Sequence, residues 1–278
     1  TCALPISGTI DDDASGATGS ALIINADGLT RFNANVGTTS PIESLTTDAA
    51  GTTELNGNVT TANGAITFND DVVLTNNVAI SNGGGASTAN ILFDKTINSD
   101  AAATTRDFTL TAGAGNITVT GTIGNTAALE DISIVSVATA LFSDEVTAET
   151  FTQTDGSVLT TFNSKLTLNP TAANALALDL TGTAFTFNGL VTTTNGGKVE
   201  ITNSGALTLT SSGDFNIDGS FKQNGTGDVF TAADITTTAD DISFAEDVIL
   251  TGPVAMNTAG KIGRAHVGTP VTLESRMP

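Results

Sequence analysis

A large apolar residue, usually Phe, followed by a small polar residue, two variable positions and then Val, Ile or Leu, recurs along this chain. The unit begins at Phe32, Leu55, Phe68, Phe93, Val119, Phe142, Phe162, Phe187 and Phe244, at steps of 23, 13, 25, 26, 23, 20, 25 and 57 residues. A degenerate copy from Ile217 to Phe221 divides the last interval into 30 and 27, so most steps fall between 20 and 30 residues. A unit of that size cannot bury its own apolar face and has to stack on neighbours like itself.

The best internal match sets residues 66–84 against residues 242–260, with 9 identities in 19 positions at a shift of 176. In the first copy Ile66 and Phe68, Val72 and Leu74, and Val78 and Ile80 form three apolar pairs that begin six residues apart. A pair at period two puts two side chains on one face of a short strand, and the intervening Asn69-Asp70-Asp71 and Thr75-Asn76-Asn77 read as corners. Three short strands with sharp corners describe one coil of a solenoid. The predicted fold is therefore all-β, a parallel β-helix of about 10 coils of 20 to 30 residues, stacked at the roughly 4.8 Å spacing of adjacent strands into a rod about 50 Å long. Phe, Val, Ile and Leu are expected in interior columns, with Thr and Asn in exterior or corner ladders. Asn-Gly pairs starting at Asn56, Asn63, Asn82, Asn188, Asn195 and Asn224 suit corners, because both residues accept left-handed φ.

Composition agrees, with 51 Thr, 23 Asn and 29 Gly among 278 residues. A transmembrane β-barrel would carry aromatic girdles, and this chain has no Trp or Tyr. A leucine-rich repeat wants a Leu-rich core and a helical return, and β-sandwiches want longer loops than most of these steps allow. No window approaches 18 consecutive apolar residues, so no membrane-inserting helix is expected. The formal charge of -20 opposes nucleic-acid binding, which needs clustered Lys and Arg. One Cys and one His exclude a disulfide framework and a Cys-based zinc site.

Both flanks depart from this composition. Residues 261–278 hold three of the nine basic residues and the only His, His266, and the head holds the only Cys, Cys2. Lys261 to Val267 can be encoded by AAG ATC GGA AGA GCA CAC GTC, and Thr1 to Ile6 by ACG TGT GCT CTT CCG ATC, each the reverse complement of the other apart from flanking bases. The pair resembles a short-read sequencing adapter translated on both sides, although Gly268 stands where the adapter would give a stop codon. The expected organisation is a non-native segment at 1–7, the solenoid at 8–260 as part of a longer protein, and a second non-native segment at 261–278.

Acidic runs occur at Asp11-Asp12-Asp13, Asp70-Asp71, Asp144-Glu145 and Asp240-Asp241. Glycoside hydrolysis needs two carboxylates held across a sugar ring, but neighbours on a strand point to opposite faces, and most of these runs sit at corners, where solvation is expected. The calcium-binding repeat G-G-x-G-x-D is incomplete at Gly83-Gly84-Gly85, which lacks the following Asp. Arg31, Lys95, Arg106, Lys165, Lys198 and Lys222 are dispersed, and stacking beside neighbouring acids is expected of Lys95 and Lys165. No phosphate-cradling loop, no G-x-S-x-G and no metalloprotease motif is present. No catalytic, cofactor-binding or metal-binding residue is assigned, and no cofactor is expected.

The units Gly64 to Asn69, Thr111 to Val119 and Leu207 to Thr210 resemble the repeats of very large bacterial surface proteins of the filamentous-haemagglutinin and autotransporter-adhesin type. The resemblance spans nearly all of residues 8–260. It implies an extracellular parallel β-helix, secreted or displayed on a bacterial cell surface, that serves as a stalk or adhesive surface and is not an enzyme. Its partners would be host-cell, matrix, glycan or neighbouring-cell ligands. End-to-end association of exposed coils is a further expectation. The alternatives are a carbohydrate-active β-helix enzyme, which would gather carboxylates from several coils into one cleft, and a calcium-dependent extracellular repeat, whose melting would respond to a chelator.

Overall fold

The computed structural model of the chain describes residues 3–13 and 19–259; Cys2 and the tail with His266 lie outside them. The described residues form a β-solenoid without helices, in which strands of successive coils pair in parallel. One coil is residues 66–81, with strands Ile66–Phe68, Asp71–Leu74 and Val78–Ser81, the three that the period-two pairs predict. They define three faces, taken here as first, second and third in that order.

On the first face eleven strands stack, from Ala21–Ile24 to Val248–Leu250. Leu22, Leu45, Ile66, Ile91, Ile117, Ala140, Thr160, Phe185, Leu207, Val229 and Val248 stand in one register column, 19 to 26 residues apart. The length differences are absorbed at corners, as in residues 82–90 and 100–107. In the middle of the stack the corner between third and first faces is replaced by the continuous strand Leu129–Phe142, whose pairing slips near Thr111 and again between Val137 and Thr139. A bulge inserts a residue and bends a strand, and here it turns the chain between faces without a loop.

The phase of the repeat differs from the sequence reading. Phe68, Phe93, Val119, Phe142, Phe162 and Phe187 share one column of the first face. Phe32 and Leu55 instead belong to the second face, in register with Leu74, and Phe244 belongs to the third, opposite Gln223. Strand, corner and strand have the same local pattern at every corner, so the motif recurs at different corners of the coil. The step of 13 is therefore part of a coil, and the shift of 176 aligns a first-face strand with a third-face one. The first-face strand that continues the column of Ile66 is Val248–Leu250.

The interior is one apolar cluster running the length of the stack. Phe142, Phe162 and Phe187 stack with ring centroids 5.1 Å apart and planes within 11°, as do Phe68 and Phe93 at 5.1 Å and 9°. Phe108, Phe151 and Phe215 approach this column edge-on from other faces. Such pairs add about 0.5–1.5 kcal/mol beyond burial itself. At the far end of the described stack Leu250 is 62% exposed and Met256 43%, because no described coil covers them.

Corners are joined by Asn and Asp side chains that accept a backbone N–H of the next coil. Asn35 Oδ1 accepts from Asn58 N, Asn58 Oδ1 from Ala79 N, and Asn77 Oδ1 from Asp107 N. Asp214 and Asp234 repeat the device toward Asp234 N and Ala255 N. Among the described residues these N–H groups donate to no backbone acceptor, so each side-chain acceptor satisfies a donor that would otherwise be orphaned. This use of Asn and Asp meets the expectation of corner ladders.

Candidate functional site

A concavity among the described residues runs along the corner between the third and first faces. It is a shallow groove of about 460 Å³ crossing four coils, lined by Asp155-Gly156-Ser157, Thr181-Gly182-Thr183, Thr202-Asn203-Ser204 and Gly225-Thr226. Four successive coils place small residues at this corner, and the resulting shelf carries exposed hydroxyls at Ser157, Thr181, Ser204 and Thr226.

The groove rests on buried amides, which the sequence reading, with its wholly apolar interior, did not anticipate. Gln153, Asn203 and Gln223 are each at most 1% exposed. Gln153 Oε1 accepts from Thr160 Oγ1 at 2.7 Å. Asn203 Nδ2 donates to the carbonyls of Gly205 at 2.6 Å and Gly227 at 3.0 Å. Gln223 Nε2 donates to Asn203 Oδ1 at 2.8 Å and to Asn224 O at 2.8 Å, while its Oε1 accepts from Ala245 N at 2.9 Å. The corner carbonyls and N–H groups turned inward thus find partners across three coils, which removes the cost of burying them. The sole sequence signal was amides at alternating, inward strand positions.

Chemically the groove offers neutral hydroxyls and one carboxylate, Asp155. A second concavity, near Asp27, Gly28, Gly51 and Glu54, contains two carboxylates, but Glu54 is engaged by the Arg31 guanidinium. A third holds Asp218, whose Oδ2 accepts from Gly196 N at 2.8 Å.

The acidic runs lie on separate coils. Asp11 accepts from Thr39 N and Ser40 N, Asp71 from Thr96 N and Oγ1, and Asp144 from Glu145 N. Among the described residues no three His, Cys, Asp or Glu are grouped as for a metal ion. Asp70 departs from the expected solvated corner: it is 2% exposed and turned inward, with Oδ1 accepting from Thr47 Oγ1 at 2.6 Å and Oδ2 from Thr53 Oγ1 at 2.7 Å. Burial pushes its carboxyl above the usual range; the two hydroxyls and its own backbone oppose that, and Asp48 adds to it.

The cations also depart in part. Lys95 reaches the carbonyl of Ala49 at 2.6 Å rather than an acid. Arg106 holds Asp100 through two bonds of 2.9 and 3.0 Å, and this pairing keeps the Asp100 carboxyl below its ordinary value. Lys222 meets Glu200 at 3.1 Å. Comparison with protein-family models, curated proteins and solved structures finds no match.

Proposed function

We propose that this chain is the structural and adhesive repeat region of a bacterial cell-surface or secreted protein, an acidic rod that holds binding surface away from the cell and performs no chemistry. The observation that carries the reading is the stack of eleven coils around one continuous core, with a run of short polar side chains facing outward over five successive coils. On the second face these are Thr147, Thr167, Thr192, Asn216 and Thr236, one per coil. At roughly 4.8 Å per coil the rod is about 50 Å long. Similar coils present similar weak contacts in a line, and their joint avidity exceeds a single affinity when several engage at once. The charge of -20 keeps like rods apart.

The test is retention of beads carrying the rod at graded density on glycan arrays, matrix proteins and bacterial cells, with reducing-end release assayed on the polysaccharides. Retention that rises steeply with rod density, without release of sugar ends, is the expected result. Release abolished by Asp155→Asn, or no retention at any density, would overturn the proposal.

A further inference from the structure

We propose that Asn56, Asn63 and Asn188 are sites of spontaneous deamidation, and that the other three Asn-Gly steps, at Asn82, Asn195 and Asn224, are held unreactive by the fold. In this reaction the backbone nitrogen of the following glycine attacks the Asn side-chain carbon Cγ. A new N–Cγ bond forms, the Cγ–Nδ2 bond breaks, and ammonia leaves. Water then opens the cyclic imide at either carbonyl, giving aspartate or isoaspartate. Glycine favours the attack because it lacks a Cβ to crowd the approach and adopts conformations closed to other residues. The chemistry therefore needs a glycine N–H that is not engaged elsewhere and an Asn side chain that can swing toward it.

The six steps divide on these two requirements. Asn82 is wholly buried, its Nδ2 donates to Ala89 O, its Oδ1 accepts from Gly84 N, and Gly83 N donates to Ser81 Oγ. Asn195 Nδ2 donates to both Pro170 O and Thr171 O at 3.0 Å, and Gly196 N is taken by Asp218 Oδ2 at 2.8 Å. Asn224 donates to Glu200 and, with Gly225, lies inside a strand paired with Thr202 and Asn203. At Asn82 and Asn195 both reacting groups are committed, and at Asn224 the side chain is tied while strand pairing holds the backbone.

The remaining three are open. Among the described residues the N–H groups of Gly57, Gly64 and Gly189 donate to no backbone acceptor. Each Asn side chain has a single tie: Asn56 Nδ2 to Asn33 O at 3.2 Å, Asn63 Oδ1 from Gly85 N at 3.0 Å, and Asn188 Nδ2 to Asn163 Oδ1 at 2.9 Å. Asn56 and Asn63 are exposed and Asn188 is half-buried. All three stand at corners, where the Asn ladder links one coil to the next. Conversion removes the donor on which the Asn56 and Asn188 ties depend, adds a negative charge to a chain already at -20, and, in the isoaspartate product, lengthens the backbone at a corner that must match its neighbours. The corner chemistry that builds the stack thus also sets where it ages.

Peptide mapping of the folded chain, incubated at physiological temperature and mildly alkaline pH with isoaspartate-specific methyl labelling, reads all six steps at once. The folded chain is expected to react at Asn56, Asn63 and Asn188 at least about fivefold faster than at the other three, since each further hydrogen bond lowers the open population by a factor of that order. In denaturant all six should react at similar rates. Asp218→Ala frees the N–H of Gly196 and should raise the rate at Asn195 severalfold. Equal rates at all six steps of the folded chain, reaction confined to the denatured chain, or no change at Asn195 in the Asp218→Ala variant would each overturn the proposal.

Discussion

Thr46 is the register partner of Thr67, so Thr47 lies beneath Phe68 in the interior column that aromatic rings fill higher up. A Thr leaves room that a ring would occupy, and the Asp70 carboxylate takes it, held by the hydroxyls of Thr47 and Thr53. The information that turns Asp70 inward thus sits one coil earlier, 23 residues away, which is why an Asp-Asp corner reads as exposed when inspected locally. Because burial raises its folded-state value, the native chain holds this proton more tightly than the unfolded chain does. The stability it contributes is complete below the ordinary carboxyl value of about 3.9 and is lost as pH rises through the raised folded value. Asp70→Asn should therefore flatten this part of the dependence of the melting midpoint on pH and raise the midpoint at neutral pH. An unchanged profile would show that Asp70 is not the group that titrates. Thr47→Val keeps the shape but removes one donor from a buried acceptor, and should cost about 1–3 kcal/mol at neutral pH, read by denaturant unfolding.

Within a face, register brings side chains from distant positions into one rank. On the exterior of the third face Thr152, Asp179, Glu200 and Lys222 lie in line on successive strands. Glu200 is bonded by Lys222 and Asn224 from the coil above, while Asp179 below it gains only a like charge. Its carboxyl is raised, first by burial and then by Glu200, so the folded chain is less stable once Asp179 ionises. Asp179→Lys converts the repulsion into a Lys-Glu-Lys ladder and should stabilise by roughly 0.2–1 kcal/mol, with the gain shrinking as salt is added. A gain that does not respond to salt would point to packing instead. Period-two apolar pairs report an inward face wherever both of its residues are apolar, as at Leu178 and Leu180 and at Val199 and Ile201, but not at Phe151 and Gln153 or at Phe221 and Gln223. What the pairs do not report is which face, since each corner repeats the same pattern. The buried amides Gln153, Asn203 and Gln223 were illegible for a related reason: they occupy inward positions but read as polar, and only the carbonyls and N–H groups of the corner beside them explain their presence.

Across the whole rod each strand pairs only with its counterparts in the coil before and the coil after, so the molecule is quasi-one-dimensional and its stability is a sum over neighbouring coils. Such a stack should tolerate the loss of one complete turn. Residues 91–116 are one turn in register terms, because Ile91 is the partner of Ile117. Removing them would set Ile66 and Phe68 against Ile117 and Val119, Val72 against Ile123, and Val78 and Ile80 against Ile132 and Ile134, an apolar match on all three faces. The expected product unfolds in a single cooperative transition and is shorter by about 4.8 Å in small-angle scattering. Removing only residues 91–103 deletes part of the turn and carries third-face residues toward first-face positions, where inward and outward side chains no longer alternate correctly. That chain should lose cooperative unfolding although it retains more of the sequence. If the shorter deletion folded as well as the complete one, the columns would not be what specifies this stack. The contrast therefore separates interior register from β-propensity alone, which both deletions leave nearly unchanged.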